Sequence, residues 1–223
     1  MTQFLVSTFN YDGHEYQTGI NSIERAARAG ITALQDQINN NALLLEDPQN
    51  IGFHEEVDEN GIIIHSEASE FERNLSLYAD AQSDLRKAFV LAAYHFWERS
   101  VIRWSLRRPL EKDHAADKKL NGYKKLVAEA KKIGPPYDPH PSLDAIVQIT
   151  NLLKHESKKA QEILENDYPD LWASMRGSKS MLYTSYARVN ITQDIMNKVF
   201  EVVRLSGPLA FKQKLQPKKT AIF

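Results

Sequence analysis

Apolar residues recur every three or four positions along much of this chain, a period that predicts helices. From about Ile20 to Leu45, Ile23, Ala27, Ile31, Leu34 and Ile38 share one face. Asn21 or Ser22 is placed to cap that helix. Residues 1–17 read as irregular or extended. From about 67 to 108 a second stripe, including Phe71, Leu75, Leu85, Phe89 and Phe96, predicts one long helix or two joined end to end. Pro109 ends it. Further helices are expected at about 117–133, 143–166, with Ser142 as its cap, and 192–205, with Asn190 or Thr192 as its cap.

The pattern changes between 46 and 66. A Pro, two Gly and the dipeptide Asn60-Gly61 interrupt the helix, and FHEEV and IIIH flank the turn. Asn-Gly between strand-like runs signals a β-hairpin. The loop GPPYDPHPS holds four prolines and cannot be helical. The expected fold is therefore mainly all-α, a helical bundle of four to five long helices with a small N-terminal β-hairpin or irregular element. Its expected divisions are 1–66, a helix plus hairpin packed on the bundle; 67–209, the bundle; and 210–223, a basic tail. That tail, with Ile222 and Phe223 at its end, reads as a docking segment or as disordered.

With 223 residues, 42% of them hydrophobic, the chain suits one globular domain with appendages. It has no cysteine, which excludes disulfides, thiol nucleophiles and thiolate metal sites and fits a reducing cytoplasm. No apolar run suits a membrane span, and the first residues do not read as a secretory signal. The net charge of -1 hides an asymmetry. Residues 1–80 hold 14 Asp/Glu against 3 Lys/Arg, net -11, and residues 99–132 hold 11 Lys/Arg against 4 Asp/Glu, net +7. Such halves either pack on each other, within a chain or across a dimer, or leave the basic part for an anionic partner.

On a helical wheel for 143–166, Asp144, Gln148, Asn151 and His155 fall in one stripe, with Asn151 and His155 one turn apart. An imidazole can exchange protons near neutral pH, and an amide can orient it or bind a phosphate. A polar stripe also simply faces water in many helices. One His without a second ligand at suitable spacing gives no metal site. Arg99, Arg103 and Arg107 follow at four-residue spacing on the preceding helix, near Trp97 and Trp104. They can bind phosphates while the rings stack on bases, or the rings can fill the core while the arginines pair with the acidic half. His95, among aromatics, reads as a packed histidine. His54 and His65 flank the hairpin and read as structural, and Tyr183 and Tyr186 read as packing residues. Gly-rich phosphate loops, GxSxG and HExxH are absent from the sequence.

The segment LDAIVQITNLLKHESKKAQEILENDYPDLW, with AFVLAAYHFWERSVIRW before it, resembles the HEPN superfamily (higher eukaryotes and prokaryotes nucleotide-binding). The family hallmark pairs an Arg with a His a few residues later, often with Asn directly after the Arg. Asn151, Lys154 and His155 match that pattern, and Thr150 stands where the Arg belongs. The resemblance covers roughly residues 70–205. It implies a protein of a bacterial defence or toxin–antitoxin system, acting as a homodimer on RNA as a metal-independent endoribonuclease without cofactor. His155 and Asn151 would then be catalytic, and Arg99, Arg103, Arg107 and Lys154 would bind RNA. The missing Arg implies the alternative, a non-catalytic regulatory subunit or antitoxin-like protein with a partner from the same operon.

Overall fold

A computed structural model of the chain describes residues 10–46, 55–107, 122–132, 139–176, 189–210 and 221–223. The fold is mainly all-α. Among the described residues its helices are α1 (Tyr11–Glu46), α2 (Glu67–Arg107), α3 (Tyr123–Lys132), α4 (Leu143–His155), α5 (Lys158–Asp167), α6 (Pro169–Met175) and α7 (Gln193–Leu205). Among the described residues no helix is long and apolar enough to cross a membrane. The chain divides into two compact units, Met1–Glu24 with Ala88–Phe223, and Arg25–Lys87.

In the larger unit, the first turns of α1 pack on α2 and α7. The Tyr16 ring lies 5.3 Å from Phe96 and 5.5 Å from Trp104. Its hydroxyl donates to the Val203 carbonyl. α1 begins about nine residues earlier than its apolar period predicts. Asn10 caps it, its Oδ1 accepting from the Gly13 amide at 3.3 Å. Asn21 and Ser22 are interior to the helix: Asn21 accepts from Arg204, and Ser22 bonds back to the Thr18 carbonyl. Gly13 is in the helix for a tertiary reason. A Cβ there would lie 2.2 Å from the Leu209 carbonyl oxygen, so only glycine lets the two backbones approach this closely. Ser206, fully buried, ties three segments together. Its Oγ accepts from His140 N at 2.9 Å and donates to the Val202 carbonyl, and its own carbonyl accepts from Trp97 Nε1 at 2.8 Å.

The smaller unit joins the remainder of α1 and α2 through the expected hairpin. β1 (Glu55–Val57) pairs antiparallel with β2 (Ile63–Ser66), with an irregularity between Glu56 and Val57. Gly61 takes φ +75, and Asp58 accepts from the amides of Asn60 and Ile62, both at 2.8 Å. The Ile62 amide, first among these contacts, holds the Asp58 carboxyl below its usual range. His54 and the side chain of His65 lie outside the described residues, as do Tyr183 and Tyr186. Between α1 and α2, Gln82 Nε2 donates to Gln35 Oε1 at 3.0 Å, and Gln82 Oε1 accepts from Arg86 at 2.5 Å.

Two further expectations are corrected. The helix predicted over 143–166 is two helices, because Glu156 adopts the left-handed conformation (φ 49, ψ 37) and Ser157 caps a new start by accepting from Ala160 N at 3.2 Å. Ser142 stands at the N-cap position of α4 but makes no side-chain cap bond. Its Oγ instead accepts from the Ile222 amide at 2.9 Å, so the end of the tail docks on this unit. Thr192 caps α7 as expected, accepting from Ile195 N at 3.2 Å.

Candidate functional site

α4 is buried along most of its length. Leu143, Ile146, Ile149 and Leu152 are at most 1% exposed. The wheel placed Asp144, Gln148, Asn151 and His155 together. The structure keeps the first three half-buried on one side and leaves His155 exposed at the end of the helix, beside exposed Lys154. Thr150 is 1% exposed, and its Oγ1 donates to the Val147 carbonyl at 2.8 Å. That side chain belongs to the core. A long cation there would have to cross packed apolar side chains to reach His155.

Asp144, Gln148 and Asn151 line a cleft of about 670 Å³ between α3, α4 and α5. Lys124 and Lys125 enter it from α3, and Ser157, Lys159 and Asp167 from the opposite wall. Val147, Ala160 and Ile163 supply apolar lining. His155 and Lys154 are not part of that lining, so the Asn151–His155 pair is divided between a cleft and an open surface. At one end of the cleft the Tyr168 hydroxyl donates to Asp144 Oδ2 at 3.4 Å. Burial, then the Asp144 carboxylate, push the Tyr168 phenol up to about 12. The same two causes in the same order raise Tyr123. Tyr94, 5.9 Å from the Trp97 ring, is raised by burial, then by Glu98 and Tyr123.

Arg99 and Arg103 are exposed on α2. Arg99 Nε donates to the His95 carbonyl at 3.2 Å, and among the described residues no carboxylate pairs with either guanidinium. The acidic half does find a basic partner elsewhere, since Glu24 pairs with Arg204. The Arg107 side chain lies outside the described residues. No hydrogen bond among the described residues joins Arg99 or Arg103 to Asn151, Lys154 or His155. Trp97 and Trp104 are 0% and 4% exposed, so both rings are core and neither can stack on a base. His95 binds Glu98 through Nδ1 at 2.9 Å. Among the described residues no cluster of three His, Asp or Glu is arranged to hold a metal ion.

The cleft lysines were visible in the sequence only as part of a charge run. Nothing in the spacing of Lys124 and Lys125 says that the start of α3 faces α4, since the 133–138 connection falls outside any periodic pattern. A comparison with protein-family models, curated proteins and solved structures finds no match to this chain.

Proposed function

We propose that this protein is a non-catalytic RNA-binding component on an HEPN-like helical scaffold, the regulatory or antitoxin-like alternative within a bacterial defence or toxin–antitoxin system. The observation that carries the reading is Thr150. Its side chain is turned into the core and bonded to its own helix, so position 150 supplies no guanidinium to exposed His155, which has only Lys154 beside it on α4. Binding is supported by Arg99 and Arg103, exposed one turn apart and free of carboxylates among the described residues. Guanidinium pairs of that kind take phosphates bidentately. With both tryptophans buried, this face engages the backbone rather than stacked bases.

The test is fluorescence anisotropy with single-stranded RNA over a salt series, beside a metal-free cleavage assay. Binding is expected to weaken as salt rises. Arg99→Ala with Arg103→Ala should lower the slope of log K against log salt by about 1.4, roughly 0.7 per lost phosphate contact. Wild type and His155→Ala should leave the RNA equally intact. Absence of RNA binding at low salt overturns the proposal. Metal-independent cutting that His155→Ala abolishes replaces it with the second reading, a homodimeric endoribonuclease, which the open position of His155 and Lys154 favours because a second copy can reach them.

A further inference from the structure

The cleft between α3, α4 and α5 shares none of its residues with the RNA face described above, and it has its own chemistry. Three ammonium groups, Lys124, Lys125 and Lys159, line one concavity, and none of them has a carboxylate partner among the described residues. Gln148 and Asn151 present amides to the same space, likewise without partners among the described residues. The wall formed by Val147, Ala160 and Ile163 is apolar. A low-dielectric wall behind several like charges focuses their field into the cleft and raises the local concentration of anions. The volume, about 670 Å³, falls in the range of small-molecule sites.

The two ends differ. α4 and α5 are joined by only Glu156 and Ser157, and Tyr168 returns to Asp144, so the helices run antiparallel. Asn151, Ser157 and Lys159 therefore share one end, and Asp144 and Asp167 the other. Asp144 and Asn151 are seven residues apart, about 10 Å at 1.5 Å per residue. The first end adds the positive pole of α5 to the Lys159 charge. The second offers carboxylate acceptors, of which Asp144 is already held by Tyr168. An inorganic anion would use only the first end. A molecule about 10 Å long with an anion at one end and donors at the other would use both.

We propose that this cleft binds a small phosphorylated molecule, its phosphate held by Lys159 and Asn151 within the added positive field of Lys124 and Lys125, and its hydroxyl or amino groups by Asp167 and Asp144. The site is independent of RNA binding through Arg99 and Arg103, and each can fail alone. The experiment is calorimetry and thermal unfolding of the full chain with ribose 5-phosphate and adenosine 5′-monophosphate. Ribose and adenosine serve as neutral controls, inorganic phosphate as the bare anion, and potassium chloride matches ionic strength. At least one of the two phosphorylated probes should raise the melting temperature and bind at least tenfold more tightly than inorganic phosphate, with the neutral controls inert. Lys159→Ala with Lys125→Ala should weaken that binding at least tenfold, and Lys154→Ala, just outside the cleft, should leave it unchanged. The proposal is overturned if neither phosphorylated probe stabilises the protein beyond chloride, if inorganic phosphate binds equally well, or if Lys154→Ala costs as much as the cleft variants.

Discussion

At the scale of single residues, position 150 decides most. The spacing of Asn151, Lys154 and His155 was legible in the sequence, and so was the absence of an Arg before them. The burial of Thr150 was not legible, because a Thr between Ile149 and Asn151 fits either face of an amphipathic helix. Its Oγ1 bonds to a carbonyl three residues back, a local bond that a neighbour need not replace. Thr150→Val should therefore change stability by less than about 1 kcal/mol. Thr150→Arg places a charge and extra volume in the core and should cost about 3 kcal/mol or more. Urea unfolding of both variants separates the cases. If Thr150→Arg is as stable as wild type, the core has room for an arginine at position 150, and the burial of Thr150 no longer speaks against catalysis.

At the scale of elements, the helices were legible where one apolar face runs unbroken and illegible where tertiary contacts set the boundary. α2 and α7 follow their apolar period. α1 extends back into residues that read as irregular or extended, where Leu209 and Phe96 lie against Gly13 and Gly19. The break at Glu156 left no Gly or Pro signal, and only the Ser157 cap hints at it. Packing among α2, α3 and α5 has a measurable signature in its phenols. Tyr94, Tyr123 and Tyr168 are all raised above the ordinary value of 10.0, by burial first. The unfolded chain ionises them at the ordinary value, whereas the folded chain keeps them neutral to higher pH. Unfolding above pH 10 then releases protons, and the stabilisation is complete below that pH. It is lost as pH rises through the folded values, up to about 12 for Tyr168. The melting temperature should fall steeply above pH 10, and Tyr168→Phe should make the fall shallower. A Tyr168→Phe curve parallel to wild type would mean that this phenol is as solvated when folded as when unfolded.

At the scale of the whole molecule, the charge asymmetry read from the sequence maps onto the two compact units. Arg25–Lys87 holds 12 acidic and 5 basic residues, net -7, and the remainder holds 17 acidic and 23 basic, net +6. Two fates for these charges were open from the sequence: neutralisation inside one chain, or attraction between chains and to anionic partners. Glu24 with Arg204 is an internal pair, yet both belong to the larger unit and leave the imbalance between units as it was. Exposed Arg99 and Arg103 remain without carboxylates among the described residues. Opposite charges on separate copies attract over about 30 Å at 0.01 M salt but only about 3 Å at 1 M. With the net charge near zero, no overall repulsion opposes that attraction. Light scattering at neutral pH should therefore give a higher apparent mass in 0.01 M salt than in 0.5 M. Arg99→Glu with Arg103→Glu should reduce the difference by lowering the charge of the basic unit. A mass that ignores salt would mean that the acidic and basic surfaces neutralise one another within each chain, and it would count against Arg99 and Arg103 as an RNA face as well as against attraction between copies.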